Sequence, residues 1–299
     1  MSRTALSLAP AGPLKVDTLD EGLAAMAEME ITLDWPEAWR GRLLERAAYL
    51  AGSDELRART LAEALDRTPD AIWMARGGYG CIRTLQAAED LELDLFARAP
   101  VPIWAFSDGT ALLAQWDRVG WPAWHAPPTT QIPRLCELSR ARVRAAWHAE
   151  QVAPFEGLET LAPGTAEGAL AGGNLCVLAS LVGTPWQADL SGRIVLLEDT
   201  GERAYKVDRL FTQLAYAGCF EGIAGLVLGQ FTQVSDAQAA GIERFFERVA
   251  PSLDVPVVRG LPIGHDVENA PVPFGQGSPW RARLEAPADG PATLSFERT

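Results

Sequence analysis

Short apolar runs alternate with helix-patterned stretches along most of this chain. That alternation restricts the fold more than any other feature. Thr4–Leu8, Ala71–Ala75, Val101–Phe106 and Trp121–His125 each read as a buried strand. Leu19–Met29, Ser53–Leu65, the stretch from Cys81 and Gly109–Val119 carry the period of helices packed on one face, with Ser53 placed as an N-cap. Glu30–Leu33 reads as a further strand and Glu137–His148 as a charged, Arg-rich helix. Repeated strand–helix–strand units predict an α/β fold with a parallel sheet. In such sheets ligands collect beyond the carboxyl ends of the strands, so strand ends are the places to look for chemistry.

A chain of 299 residues is long for one core, and it changes character part-way. Residues 151–168 hold Pro154, Gly157, Pro163, Gly164 and Gly168 without a sustained period, and read as a linker. The expected division is a first domain over 1–150 and a second over 169–299. In the second, Arg193–Leu197, Ile223–Leu228 and Pro256–Arg259 read as strands, with helices over Tyr205–Ala217 and Ala237–Val249. Trp280–Leu284 and Ala292–Phe296 read as a closing hairpin around Asp289-Gly290.

The formal net charge of −13 argues against nucleic acid or an anionic membrane as partner. No apolar run reaches the roughly 18 residues of a membrane span. The short apolar start reads as a strand and not as a signal peptide, so a cytoplasmic protein is expected. Cys81, Cys136, Cys176 and Cys219 stand apart in the sequence with no CxxC pair, and read as reduced thiols. His125, His148 and His265 form no metal-ligand spacing, so neither a metal nor another cofactor is expected.

Three strand ends carry a polar side chain. Ser107 follows Val101–Phe106, Glu198 follows Arg193–Leu197, and His265 follows Pro256–Arg259 after a loop stiffened by Pro262. Ser…acid…His is one of the chain orders of a serine hydrolase, in which the imidazole takes the hydroxyl proton and the carboxylate fixes the tautomer. Each residue also has a plainer reading. Ser107, Asp108 or Thr110 suits a helix N-cap, His265 suits a structural histidine, and Glu198 suits a surface carboxylate beside Asp199 and Glu202. Arg76-Gly77-Gly78-Tyr79-Gly80 lies at another strand end, where glycine N–H groups either bind an oxyanion or merely make a tight turn.

The sequence resembles the LD-carboxypeptidase family of serine peptidases, which includes microcin C immunity proteins. The resemblance rests on "APAGP" at 9–13, "ARGGYGCIRTL" at 75–85, "FSDGTALL" at 106–113 and "WHAPP" at 124–128. It continues with "GGNLCVLASLVGTPW" at 172–186, "LEDTGERAYKVDRLFTQLAYAG" at 197–218 and "GLPIGHDVENAPVPFG" at 260–275. It implies an N-terminal α/β domain like a class I glutaminase domain and a swivelling C-terminal α/β domain. It also implies Ser107 as nucleophile, Glu198 as acid and His265 as base, with the Asp108 and Gly78 N–H groups as oxyanion donors. The implied substrate is a peptide, a muropeptide tetrapeptide losing a terminal D-amino acid in cell-wall recycling. Arg76 and Gly77 are candidates for binding it. An aminoacyl or peptidyl nucleotide is the alternative substrate, with Trp186 stacking on the base or else only packing. A non-catalytic protein holding a small ligand between the domains is the alternative of another class, and a homodimer is left open. Ala105, Ala126 and Asp266 depart from the family's pattern, which has glycine at the first two positions and a small residue at the third.

Overall fold

The computed structural model describes residues 3–149 and 151–299. The expected boundary at residue 150 falls outside them. In chain order the first half runs β1 (Thr4–Leu8), α1 (Val16–Glu28), β2 (Thr32–Asp34), α2 (Glu37–Leu44), β3 (Arg46–Ala47), β4 (Leu50–Ala51), α3 (Asp54–Asp66), β5 (Ala71–Met74), α4 (Cys81–Asp90), β6 (Ile103–Ala105), α5 (Thr110–Arg118), β7 (Ala123–His125) and α6 (Glu137–His148). The second half runs β8 (Phe155–Ala162), β9 (Gly164–Gly168), β10 (Leu170–Asn174), α7 (Leu175–Leu181), β11 (Ile194–Thr200), α8 (Ala204–Tyr216), β12 (Gly225–Thr232), α9 (Asp236–Val249), β13 (Val257–Arg259), β14 (Val272–Phe274), β15 (Trp280–Ala286) and β16 (Ala292–Arg298).

The expected parallel sheet is present, in the order β14-β7-β6-β5-β1-β2. Strands β7, β6, β5, β1 and β2 run parallel; β5, β6 and β7 are buried throughout and β1 nearly so, as strands covered on both faces must be, whereas β2 at the edge, Thr32-Leu33-Asp34, is largely exposed. A three-tryptophan stack on one face, Trp73 on Trp104 at 4.3 Å and Trp104 on Trp124 at 4.7 Å, ties β5, β6 and β7 together. Ser53 caps α3 as expected, its hydroxyl accepting from the Leu56 N–H. The ordering of a second sheet, β10-β11-β12-β13-β8-β16-β15-β9, joins four parallel strands to an antiparallel half.

Two features depart from the sequence reading. The stretch 151–168 is not a linker throughout, because β8 and β9 build it into the second sheet. Gly157, at φ +76°, lies inside β8, Pro163 joins β8 to β9, and Gly164, at φ +152°, opens β9. The second departure is β14. After the second domain's β13, the chain returns to the first sheet and pairs antiparallel with β7, Val272 opposite His125. The segment that follows His265 is therefore anchored in the domain that holds Ser107.

Candidate active site

β6 ends at Ala105, and the chain turns through Ser107–Gly109 into α5. Ser107 has φ +60°, the left-handed region that costs a non-glycine residue about 1–3 kcal/mol. The helix-cap reading needs no such strain. The neighbours explain how the turn closes. A Cβ on Gly109 would lie 2.7 Å from Met74 Sδ and 2.9 Å from Ala105 Cβ, and one on Gly77 would lie 2.9 Å from Ser107 Cβ. The methyl of Ala105 thus occupies the space beneath the turn, and Gly109 makes room for it.

The three chosen strand ends meet. His265 Nε2 lies 2.8 Å from Ser107 Oγ, and His265 Nδ1 lies 2.9 Å from Glu198 Oε2. Glu198 is wholly buried while the His265 side chain keeps 16% exposure, so the carboxylate is sealed behind a ring that still reaches solvent. The surface-carboxylate reading of Glu198 is overturned. Close approach here depends on Gly229, where a Cβ would come 3.1 Å from Glu198 Cβ and 2.6 Å from the Ile263 carbonyl. Phe106 packs on the His265 ring at a centroid distance of 4.5 Å. Asp199, next in the chain, has a different task. It accepts from Asn174 Nδ2 and from the Cys176 and Thr200 N–H groups. Burial, with the neighbouring Glu198 charge, pushes its carboxyl up to about 6 against those bonds.

Asp108 joins the Ser107 turn to the glycine loop. Its Oδ2 accepts from the Cys81 N–H at 2.7 Å, at the start of α4, and burial raises its carboxyl above the usual range. Gly77 lies against Ser107, whereas Gly78, at φ +110°, backs onto Gly12. Arg76 is exposed and donates to the Pro13 carbonyl. With Lys15, Arg46, Tyr49 and Tyr79 it lines a cleft of about 780 Å³ beside the glycine loop. The structure does not bring Trp186 to this site. Its indole is 9% exposed, belongs to the apolar cluster shared with Leu85 and Leu112, and donates to Glu89 Oε1 at 3.2 Å. A large apolar ring at the domain boundary gains more from that burial than from solvent. Asp266 points to solvent, and only its backbone serves the site.

The LD-carboxypeptidase N-terminal domain model matches residues 7–126 and the C-terminal domain model matches 167–278. The chain is 34% identical over 289 residues to the murein tetrapeptide carboxypeptidase of Pseudomonas aeruginosa, covering 90% of each. It belongs to the LD-carboxypeptidase family. A crystal structure of muramoyltetrapeptide carboxypeptidase from Oxalobacter formigenes shares the fold at a TM-score of 0.82, with 25% identity and 98% of each chain covered. The microcin C7 self-immunity protein MccF of Escherichia coli is 29% identical over 116 residues, 38% of this chain and 33% of that protein. This family member is thus a carboxypeptidase by kinship, with a mixed α/β fold in two sheets.

Some residues at the site carried no sequence signal. Gln131 belongs to no motif, and Phe106 and His125 stood out only as parts of "FSDGTALL" and "WHAPP". Thr110 accepts from the Asn174 N–H at 3.0 Å, and a Cβ on Gly173 would lie 2.5 Å from its Oγ1, so the first turn of α5 rests directly on the end of β10. No pattern along the chain pairs residues that far apart.

Proposed function

We propose that this chain is a serine-type LD-carboxypeptidase that cleaves the L-to-D amide of a muropeptide tetrapeptide and releases the terminal D-amino acid. The hydrogen-bonded series Ser107–His265–Glu198, at 2.8 and 2.9 Å, carries the reading. Ser107 Oγ attacks the amide carbonyl as His265 Nε2 takes its proton. His265 then protonates the leaving amine, and water, deprotonated by the same imidazole, hydrolyses the acyl-enzyme. Glu198 accepts the Nδ1–H, which leaves Nε2 free to act as base. The Asp108 and Gly78 N–H groups are the proposed oxyanion donors, each worth about 2.7–4 kcal/mol in reactions of this type. The nucleophile then belongs to a first domain over 1–150, and the acid and base to a second.

The exposed cleft of Arg76, Lys15 and Arg46 suits a substrate rich in carboxylates, and Arg76 is the proposed partner of the terminal one. Gly77 gives the peptide room beside the nucleophile. The cell-wall peptide is favoured over an aminoacyl nucleotide because the sequence likeness to the murein enzyme spans 90% of the chain and that to the immunity protein 38%, although the fold of the latter covers the whole chain. Burial of Trp186 also removes the ring assigned to base stacking. The proposed compartment is the cytoplasm, in keeping with cleavage of such peptides in recycling. Purified protein is to be incubated with tetrapeptide and with an aminoacyl nucleotide side by side, and the products weighed by mass spectrometry. Loss of one D-amino acid from the tetrapeptide, absent with Ser107→Ala, is expected. Turnover of the nucleotide alone, or normal turnover by a folded Ser107→Ala protein, overturns the reading.

A further inference from the structure

The loop carrying His265 comes from the second domain but is held by the first. Gln131, wholly within the first domain and 3% exposed, sends its Nε2 to two acceptors: the Gly264 carbonyl at 3.0 Å and the Asp266 carbonyl at 3.0 Å. These are the peptide carbonyls on either side of His265. Its Oε1 accepts from Asn269 Nδ2 at 2.8 Å, so both amide hydrogens and one lone pair of the oxygen are engaged on this loop. Farther along, the Asn269 N–H donates to Ser139 Oγ at 3.1 Å and the Cys136 N–H to the Val267 carbonyl at 2.8 Å. On the opposite side Gly264 backs onto Gln230, where a Cβ would lie 2.7 Å from Gln230 Cβ.

We propose that Gln131 is a positioning residue that sets the base on the nucleophile. One NH2 group has two hydrogens, and here each meets one of the carbonyls flanking the imidazole. That grip fixes the position of the His265 backbone relative to the domain that carries Ser107. Catalytic groups must be held to within about 0.5 Å, and a misplacement of about 1 Å costs about 100-fold in rate. The proposal rests on the reading of His265 as the base.

Two variants test it. Gln131→Met keeps the length and removes both donors. Gln131→Glu keeps the acceptor for Asn269 and sets a charge against two carbonyl oxygens. Expected for Gln131→Met is a fall in kcat of about 10- to 100-fold with KM within about 3-fold, and a larger fall for Gln131→Glu. Ser139→Ala is the control, because it frees the same loop through Asn269 but not beside His265. It is expected to lower the melting temperature and to leave kcat within about 3-fold. The rate at which a fluorophosphonate labels Ser107 reads the base without reference to the substrate, and should fall with kcat. A folded Gln131→Met protein with wild-type kcat and labelling overturns the proposal. So does kcat that follows melting temperature alike through all three variants. If Gln131→Met does not fold, Gln131→Glu is read in the same way. Wild-type protein that labels but leaves the tetrapeptide intact overturns the substrate assignment alone, and the labelling rates then decide on Gln131. Wild-type protein that does not label overturns both.

Discussion

His125 should make the protein sensitive to acid, by an amount that the structure fixes. Its ring is fully buried between Phe106 and Phe274, at centroid distances of 5.1 and 5.5 Å. Neither ring nitrogen has a hydrogen-bond partner among the described residues. Burial first, and the nearby His265 second, lower its pKa from 6.5 to about 3. The folded state therefore refuses a proton that the unfolded chain accepts. Stability contributed by the neutral ring is present above pH 6.5 and is lost as the pH falls from there toward 3. Each pH unit in that window costs about 1.36 kcal/mol, so the loss is about 2 kcal/mol at about pH 5. Asp199 acts in the opposite sense. Its folded pKa is raised from 3.8 to about 6, so its contribution is present at low pH and lost as the pH rises through about 6. The two partly offset in the wild type, which makes a variant difference the clean measurement. His125→Phe replaces the imidazole with an apolar ring of similar shape. Overpacking by the extra atom adds a constant of about 1–3 kcal/mol at most, the same at every pH. Denaturant unfolding of both proteins at pH 7, 6 and 5 gives the difference at each pH. The variant should gain on the wild type by about 2 kcal/mol between pH 7 and 5. A difference that stays flat across that range would show that the ring is not held neutral by burial.

Four further outcomes are expected of the same site. Glu198→Gln presents an amide to His265 Nδ1 and favours the tautomer with Nε2–H facing Ser107, so kcat should fall by about ten-thousand-fold while the fold persists by circular dichroism. Gly77→Ala sets a methyl 2.9 Å from Ser107 Cβ and 3.0 Å from its Oγ, and fluorophosphonate labelling of Ser107 should slow. A shift of the Ser107 hydroxyl by about 1 Å would correspond to about 100-fold in kcat, if Ser107 is the nucleophile proposed above. Arg76→Ala should lower activity on the free-acid tetrapeptide by about 10- to 100-fold and far less on the C-terminal amide, and equal losses on both would assign Arg76 to the loop alone. Activity should survive dialysis against a chelator, because the proposed steps use only side-chain and backbone groups. Loss in chelator that zinc restores would contradict them.

Local chemistry made much of this protein legible. Period and punctuation along the chain gave β1, β5, β6 and β7 with their intervening helices, and Ser53 as a cap. Strand ends, together with the order Ser…Glu…His, singled out the three side chains that meet at 2.8 and 2.9 Å. Such features are written within a few neighbouring residues, because strand alternation, helix period and turn chemistry act over that range. What the tertiary structure alone decided spans longer distances. β8 and β9 look like a linker in sequence because Gly157 inside β8 and Pro163 between the two strands break the pattern, and both strands gain their stability from partners elsewhere in the sheet. The return of β14 to pair with β7, the grip of Gln131 on the carbonyls beside His265, and the burial of Trp186 against α4 and α5 all join residues far apart in the chain. Hydrogen bonds and packing of this kind have no period. They arise only when two domains close on each other, and here that closure brings His265 from one domain onto Ser107 of the other.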